Sequence, residues 1–173
     1  MTEREPLEAE NLDRYGSAAL DWSRARDALA HATGPAATFF VGTCRPDGTP
    51  DAAGVGAMWH EGDIYFISGP GMRKARNLAS NPRCTISVRL QGIDLVLAGT
   101  AARTTERAVL EALATRYREA GWPARVEGDA LTAPFCAPSA GPPPWHLYRC
   151  RVHTVTGVAT AEPTGATRWR FAV

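Results

Sequence analysis

The stretch of this 173-residue chain best equipped for chemistry is 64–82, IYFISGPGMRKARNLASNP. Four apolar residues run into Ser68, Gly69 and Gly71 free the backbone around Pro70, and a helical pattern opens just before Arg73 and Lys74. The first amides of a helix have no intrahelical acceptor, so two cations beside them make an anion site, to which the Ser68 hydroxyl adds a donor. The GxxxxGK[ST] spacing of a Walker A loop is missing, and of GxGxxG only Gly69 and Gly71 fit. On its residues alone the stretch is either a phosphate cradle or a glycine-rich turn whose cations are simply solvated. Lys74 is the only lysine among nineteen basic residues. A bias to arginine reflects GC-rich codon usage. Against that background an ammonium is a distinct choice, because the two cations are not equivalent.

The remaining reactive side chains form no catalytic pattern. Cys44, Cys84, Cys136 and Cys150 contain no CxxC pair, and three of them lie in strand-like segments where a thiol is usually just buried. His31, His60, His146 and His153 have no zinc spacing. His60-Glu61 begins like HExxH, but Ile64 stands where the second histidine belongs. Tyr65, Tyr148 and His60 are candidate proton donors, each read first as structural.

These residues are positioned by a β-rich chain. A helix is expected over 22–32, with Trp22, Ala25 and Leu29 on one face and Gly34-Pro35 as its stop. Strands are expected over 37–45, 51–59 and 64–67, with turns at Pro46-Asp47-Gly48 and Glu61-Gly62-Asp63. The run 64–67 is apolar at every position, so both its faces should be covered. A short helix over 72–80 ends at Asn81-Pro82. Cys84, Ile86, Val88 and Leu90 then alternate with Thr85, Ser87 and Arg89, and a further strand covers 93–102. A second helix over 105–120 places Leu110, Leu113, Ala114 and Tyr117 together, with Thr104 or Thr105 as cap and Gly121 at its end. Strands over 145–155 and 166–172 close the chain. Residues 1–16 read as a frayed or wrapping arm. Residues 121–145, rich in Pro and Gly and without a period, read as a long loop, either a lid, a binding segment or disorder. With no internal repeat and no domain boundary, the expectation is one domain over 1–173: mainly β (α+β), a small antiparallel barrel with peripheral helices.

Composition narrows the class. Apolar residues are 45% and charged residues 21%, which excludes a wholly disordered chain. A formal charge of +1 gives no bulk attraction for nucleic acid or acidic membranes. Residues 1–11 lack the basic and apolar regions of a signal peptide. No apolar run approaches the roughly 20 residues that span a bilayer. A cytoplasmic protein with reduced thiols, free of nucleic acid and membrane, is expected.

The cradle segment resembles that of the pyridoxamine 5'-phosphate oxidase-like split-barrel family, in which a strand, a short loop, an Arg-Lys pair, a helix with Asn-Leu and then Asn-Pro follow one another. The resemblance runs from about Thr38 through Ala102 and more loosely over 145–171. It implies a six-stranded antiparallel split β-barrel, a homodimer with cofactor sites at the subunit interface, Arg73 and Lys74 as the cofactor-phosphate pair and Ser68 as the hydroxyl at the strand end. It also implies that Val55, Gly56, Ala57 and Met58 lie along a flavin-type ring, with a polar ring contact near Asp94. The arginine that the oxidase carries on that strand is missing; Gly54 and Gly56 stand there. The chain therefore looks most like the deazaflavin-dependent branch. RPDG at 45–48, GPGMRKARNLASNP at 69–82 and ATRWRF at 166–171 match its pattern. That branch implies an oxidoreductase using coenzyme F420, with hydride transfer to a small organic substrate. Trp169 and Arg168 would then close the site from the partner subunit, unless Trp169 is core packing. Phe135 and Trp145 would shape a substrate pocket. The alternatives are flavin mononucleotide (FMN) as cofactor, or a flavin- or deazaflavin-binding carrier or sensor without turnover.

Overall fold

A computed structural model of the chain describes residues 4–32 and 37–172. The first elements are β1 (Glu8–Asn11), α1 (Trp22–His31), β2 (Phe39–Cys44), β3 (Pro50–Val55), β4 (Ala57–His60), β5 (Asp63–Ser68) and α2 (Arg73–Ser80). They are followed by β6 (Arg83–Leu90), β7 (Ile93–Thr104), α3 (Arg107–Glu119), β8 (Arg125–Glu127), β9 (Ala130–Thr132), β10 (His146–Ala159) and β11 (Ala166–Arg170). Among the described residues the protein is mainly β, an antiparallel sheet with three helices packed around it. The expected helix stop at Gly34-Pro35 lies outside the described residues.

The main sheet runs β1-β11-β10-β7-β6-β2-β3, with β5 attached to β10 and β4 attached to β5. β10 changes partners along its length. Residues 146–150 pair with β5, residues 154–158 pair with β11, and the register against β7 shifts between Val152 and Thr154. The run expected as one strand over 51–59 is two strands. Val55 pairs with Phe39 of β2 and Ala57 with Phe66 of β5, so the chain passes from one neighbour to another at Gly56. Gly54 and Gly56 leave little side-chain packing to hold the run to a single neighbour.

Two apolar cores explain why β5 is buried at all six positions. Ile64 and Phe66 enter the main core with Val41, Ile86, Leu97, Val152 and Trp169. Tyr65 and Ile67 enter a second core with Met58, Leu147 and the Leu110, Leu113 and Tyr117 face of α3. The helical spacing of that face is the one expected from the sequence. Its cap is not: Glu106 is the N-cap residue and makes no side-chain cap bond. Gly121 ends the helix at φ +92°, as its freedom from a Cβ allows. Residues 121–145 are more structured than their composition suggests. β8 and β9 form a hairpin that turns through Gly128 at φ +60°, and Leu131 bridges Trp145 of the strand β10 continues. Three-residue strands are too short to show a period, so packing against α3 and β10 decides them.

The arm at the N-terminus lays β1 along β11, where Glu8 and Glu10 pair with Arg168 and Arg170. Ahead of it, Arg4 reaches the fully buried carboxylate of Asp63 at 2.9 Å. Asp63 also accepts from Arg149 Nε at 2.7 Å and from the Val152 amide at 3.0 Å, so one charge ties the arm, β5 and β10 together. Asp63→Asn removes the charge and leaves the shape. It should cost about 3 kcal/mol, as for a broken buried pair. Thermal melts should show a midpoint lower by roughly 6–12 °C; an unchanged midpoint would mean that Arg4 and Arg149 contribute nothing there.

Candidate functional site

The break at Gly56 opens beside a cavity. Gly56 has no strand partner, its carbonyl accepts from Tyr117 Oη at 2.9 Å, and a Cβ there would meet nothing within 4 Å. The cavity, about 250 Å³, is bounded by Gly54, Val55, Gly56, Ala57 and Met58 on one side and by Ile67, Tyr117 and Trp122 from the second core. Phe135, Cys136, Ala137, Ser139 and Ala140 cover it, and Lys74 reaches it from α2. Apart from Lys74 the walls are apolar or uncharged. Burial pushes the Tyr117 hydroxyl well above the usual phenol range and also raises the Cys136 thiol. Neither supplies a charge near neutral pH.

Lys74 is the exception in this setting. It is only 7% exposed, and among the described residues no hydrogen bond or ion pair reaches its ammonium. Desolvation holds it below the ordinary lysine range, with a smaller opposing effect from Cys136. Its Nζ is not among the side-chain atoms cut off from solvent without a partner, so the stem is enclosed while the ammonium stays accessible at the cavity. The backbone just before it also leaves donors unpaired. Met72 N donates to Gly69 O at 3.1 Å, turning the chain into α2. Among the described residues no backbone carbonyl accepts from the amides of Arg73, Lys74 or Ala75, and Met72 at the N-cap offers no side-chain bond. Asn77 on the buried face of α2 donates to Thr43 Oγ1 at 2.9 Å, which fixes the helix against β2.

Of the residues expected at a site, Val55, Gly56, Ala57, Met58 and Lys74 line this one cavity. Arg73 is exposed at the start of α2, outside the cavity wall. Ser68 is fully buried, its hydroxyl donates to the Gly69 carbonyl at 3.1 Å, and it does not line the cavity. Trp169 stands in the main core. It is 1% exposed, stands 5.4 Å from Trp22 in an edge-on contact, and fills the space that Gly157 leaves: a Cβ on Gly157 would lie 2.8 Å from its ring. So enclosed, the ring does not line this cavity. Arg168 is paired with Glu10. Asp94 is paired with Arg89 on the exposed sheet surface, and the same pair lowers its carboxyl. Tyr65 and Tyr148 are core residues, and Trp145 packs in the second core with its indole donating to Gly141 O at 3.0 Å.

Tyr117, Trp122 and Cys136 are cavity residues that the sequence does not mark. Tyr117 reads as an ordinary apolar-face residue of α3, and the other two lie in a stretch without a period. A larger but shallow trough, about 920 Å³, crosses the sheet at Thr43, Arg83, Thr85, Thr100 and His153. It holds neither Lys74 nor the Gly56 break.

No protein of curated function matches the chain by sequence. Among solved structures, a pyridoxamine 5'-phosphate oxidase-related, FMN binding protein from Nostoc punctiforme PCC 73102 is 18% identical with a TM-score of 0.58, over 87% of this chain and 91% of that one. A heme binding protein from Mycobacterium smegmatis is 17% identical with a TM-score of 0.61, over 86% of this chain and 58% of that one. An F420 reductase is 20% identical with a TM-score of 0.50, over 75% of this chain and 94% of that one. At these identities the likeness is one of fold. The family model described as pyridoxamine 5'-phosphate oxidase matches residues 25–159, more than three-quarters of the sequence, and this chain belongs to that family.

Proposed function

We propose that this protein is an oxidoreductase that binds a deazaflavin, coenzyme F420, in the cavity between the Gly56 break and Lys74. The observation that carries the reading is Lys74, whose stem is buried and whose accessible ammonium has no partner among the described residues, at an otherwise uncharged cavity. A flat apolar ring with an anionic tail satisfies both features at once. Lys74 and the free amides at the start of α2 would hold the phosphate, with Arg73 adding charge at the rim. The backbone from Val55 to Met58 would meet the ring, and Ile67, Met58 and Trp122 would keep water from it. Bound there, such a coenzyme supplies hydride chemistry toward a small organic substrate, while the chain binds, orients and shields. In this reading β2, the β3–β4 run, β5, β10, β7 and β6 are the six staves of a split barrel. Two copies pair through the exposed sheet face that carries Phe40 and Val96, which are 50% and 44% exposed.

Titration of the ligand-free protein with coenzyme F420 and with FMN, followed by absorbance and fluorescence, tests the assignment. Saturable binding with preference for F420 is expected. Preference for FMN moves the protein to the flavin branch, tight binding without oxidation of reduced cofactor by any acceptor makes it a carrier, and no binding of either ends the cofactor reading. The pH dependence has a defined sign. The ammonium is present below the folded-state pKa of Lys74 and lost as pH rises through it. Because burial lowers that pKa, affinity should begin to fall at a pH below the ordinary lysine value of 10.5. Lys74→Arg should keep its affinity through the same window.

A further inference from the structure

The cavity is not an open slot. At about 250 Å³ it is smaller than the roughly 300–1,000 Å³ of pockets that enclose drug-sized ligands. Five of its lining residues, Phe135, Cys136, Ala137, Ser139 and Ala140, come from one segment of the chain, residues 135–141. Ala140 O accepts from the Gly69 amide at 3.2 Å, in the loop that leads into the cradle, and lies 2.7 Å from where a Gly69 Cβ would stand. The ends of the segment are held differently from its middle. Trp122 Nε1 donates to Phe135 O at 2.7 Å and Trp145 Nε1 donates to Gly141 O at 3.0 Å, so two indoles pin the ends. Between them, among the described residues, the Gly69–Ala140 bond is the one backbone hydrogen bond to the body of the protein. Phe135, at one end, remains 60% exposed.

We propose that residues 135–141 form a displaceable plug that occupies the cofactor cavity in the ligand-free protein, its Ala140 carbonyl standing where an anionic ligand oxygen would bind. The inference rests on the cofactor reading and adds how the site is opened. Entry of a flat ligand with a phosphate tail exchanges a neutral amide–carbonyl bond for charge-assisted ones, which are roughly twice as strong. The plug swings out on its two indole-pinned ends, and the ligand takes the Gly69 amide and the Lys74 ammonium. A ligand lacking the anionic tail has nothing to offer Lys74 and competes poorly with the plug.

Cys136 reports on the plug, because it is the plug's own thiol and faces the cavity. The full-length protein is treated with iodoacetamide and each cysteine is followed by peptide mass spectrometry, with and without FMN, F420, riboflavin or inorganic pyrophosphate. Binding of FMN and F420 is measured in parallel by fluorescence. A saturating phosphate-bearing ligand should raise the alkylation rate of Cys136 at least fivefold and leave Cys44 unchanged, and pyrophosphate should do the same at higher concentration. Slower or unchanged labelling of Cys136 with ligand demonstrably bound would overturn the plug and leave the cofactor reading standing. A second variant loosens the plug without ligand. Gly141 has φ +77°, and a Cβ there would lie 2.8 Å from Met72 Cε. Gly141→Ala should raise Cys136 labelling in the ligand-free protein and tighten FMN binding about threefold more than riboflavin binding. Weaker FMN binding in that variant would show that 135–141 is a wall of the site. Failure of every phosphate-bearing ligand to bind, in either protein, would sink both readings.

Discussion

Replacing Lys74 by alanine is expected to weaken binding of F420 or FMN by about ten- to a hundred-fold, the worth of one or more hydrogen bonds to a charged group. The melting temperature of the ligand-free protein should stay the same or rise slightly. The two halves of this expectation come from one observation. A salt-bridged lysine would leave a buried carboxylate behind when removed, at a cost in stability. Lys74 has no such partner among the described residues, so its removal relieves desolvation and breaks no pair. What it loses is the packing of its four-carbon stem. Lys74→Met keeps that stem and should show the same loss of affinity with an even smaller effect on stability. Riboflavin, which has the ring and no phosphate, should bind all three proteins alike. Equal loss for riboflavin and FMN would place Lys74 against the ring, and a large fall in melting temperature would make it structural.

Trp169→Ala should do the reverse. Trp169 is the largest of the fully enclosed side chains, with Trp22 edge-on to it and Gly157 beneath it. Emptying that space costs about 3–5 kcal/mol, and the midpoint should fall by roughly 6–20 °C. Below the transition, FMN affinity should be within about twofold of the parent, since the ring does not line the cavity. A tenfold loss of affinity with little change in melting temperature would return Trp169 to the site. Gly157→Ala meets the same ring from the other side and should lower the midpoint without touching affinity.

How far the site is legible in the sequence differs from residue to residue. Lys74 is visible because it is the single ammonium in a chain of guanidinium groups and because a glycine-rich turn and a helix start precede it. The uniformly apolar run at 64–67 announces a strand covered on both faces, and two cores do cover it. Ser68 and Trp169 show how far motif position goes: it says which residues are near a junction, and only packing says which way their side chains point. Ser68 ends β5 on an inward register position, and Trp169 is drawn inward by the room that Gly157 leaves. Tyr117 illustrates the converse. Its helical spacing makes it a core residue, but its hydroxyl extends past the core and donates to the Gly56 carbonyl at the strand break.

Sequence by itself determined what depends on neighbours along the chain. The alternation of β6, the amphipathic faces of α1 and α3, the turn chemistry and the strand–turn–helix order around Lys74 are all local, set by side-chain type and backbone freedom within a few residues. Tertiary structure alone decided what depends on residues far apart. It split the 51–59 run between β2 and β5, folded β8 and β9 into the apparent loop, and carried Cys136 and Ala140 across to α2 and Gly69. The reason is that burial and hydrogen-bond satisfaction are properties of the whole packed chain. Whether an amide finds a carbonyl, or an ammonium is left without a carboxylate, is settled only when every segment has taken its place.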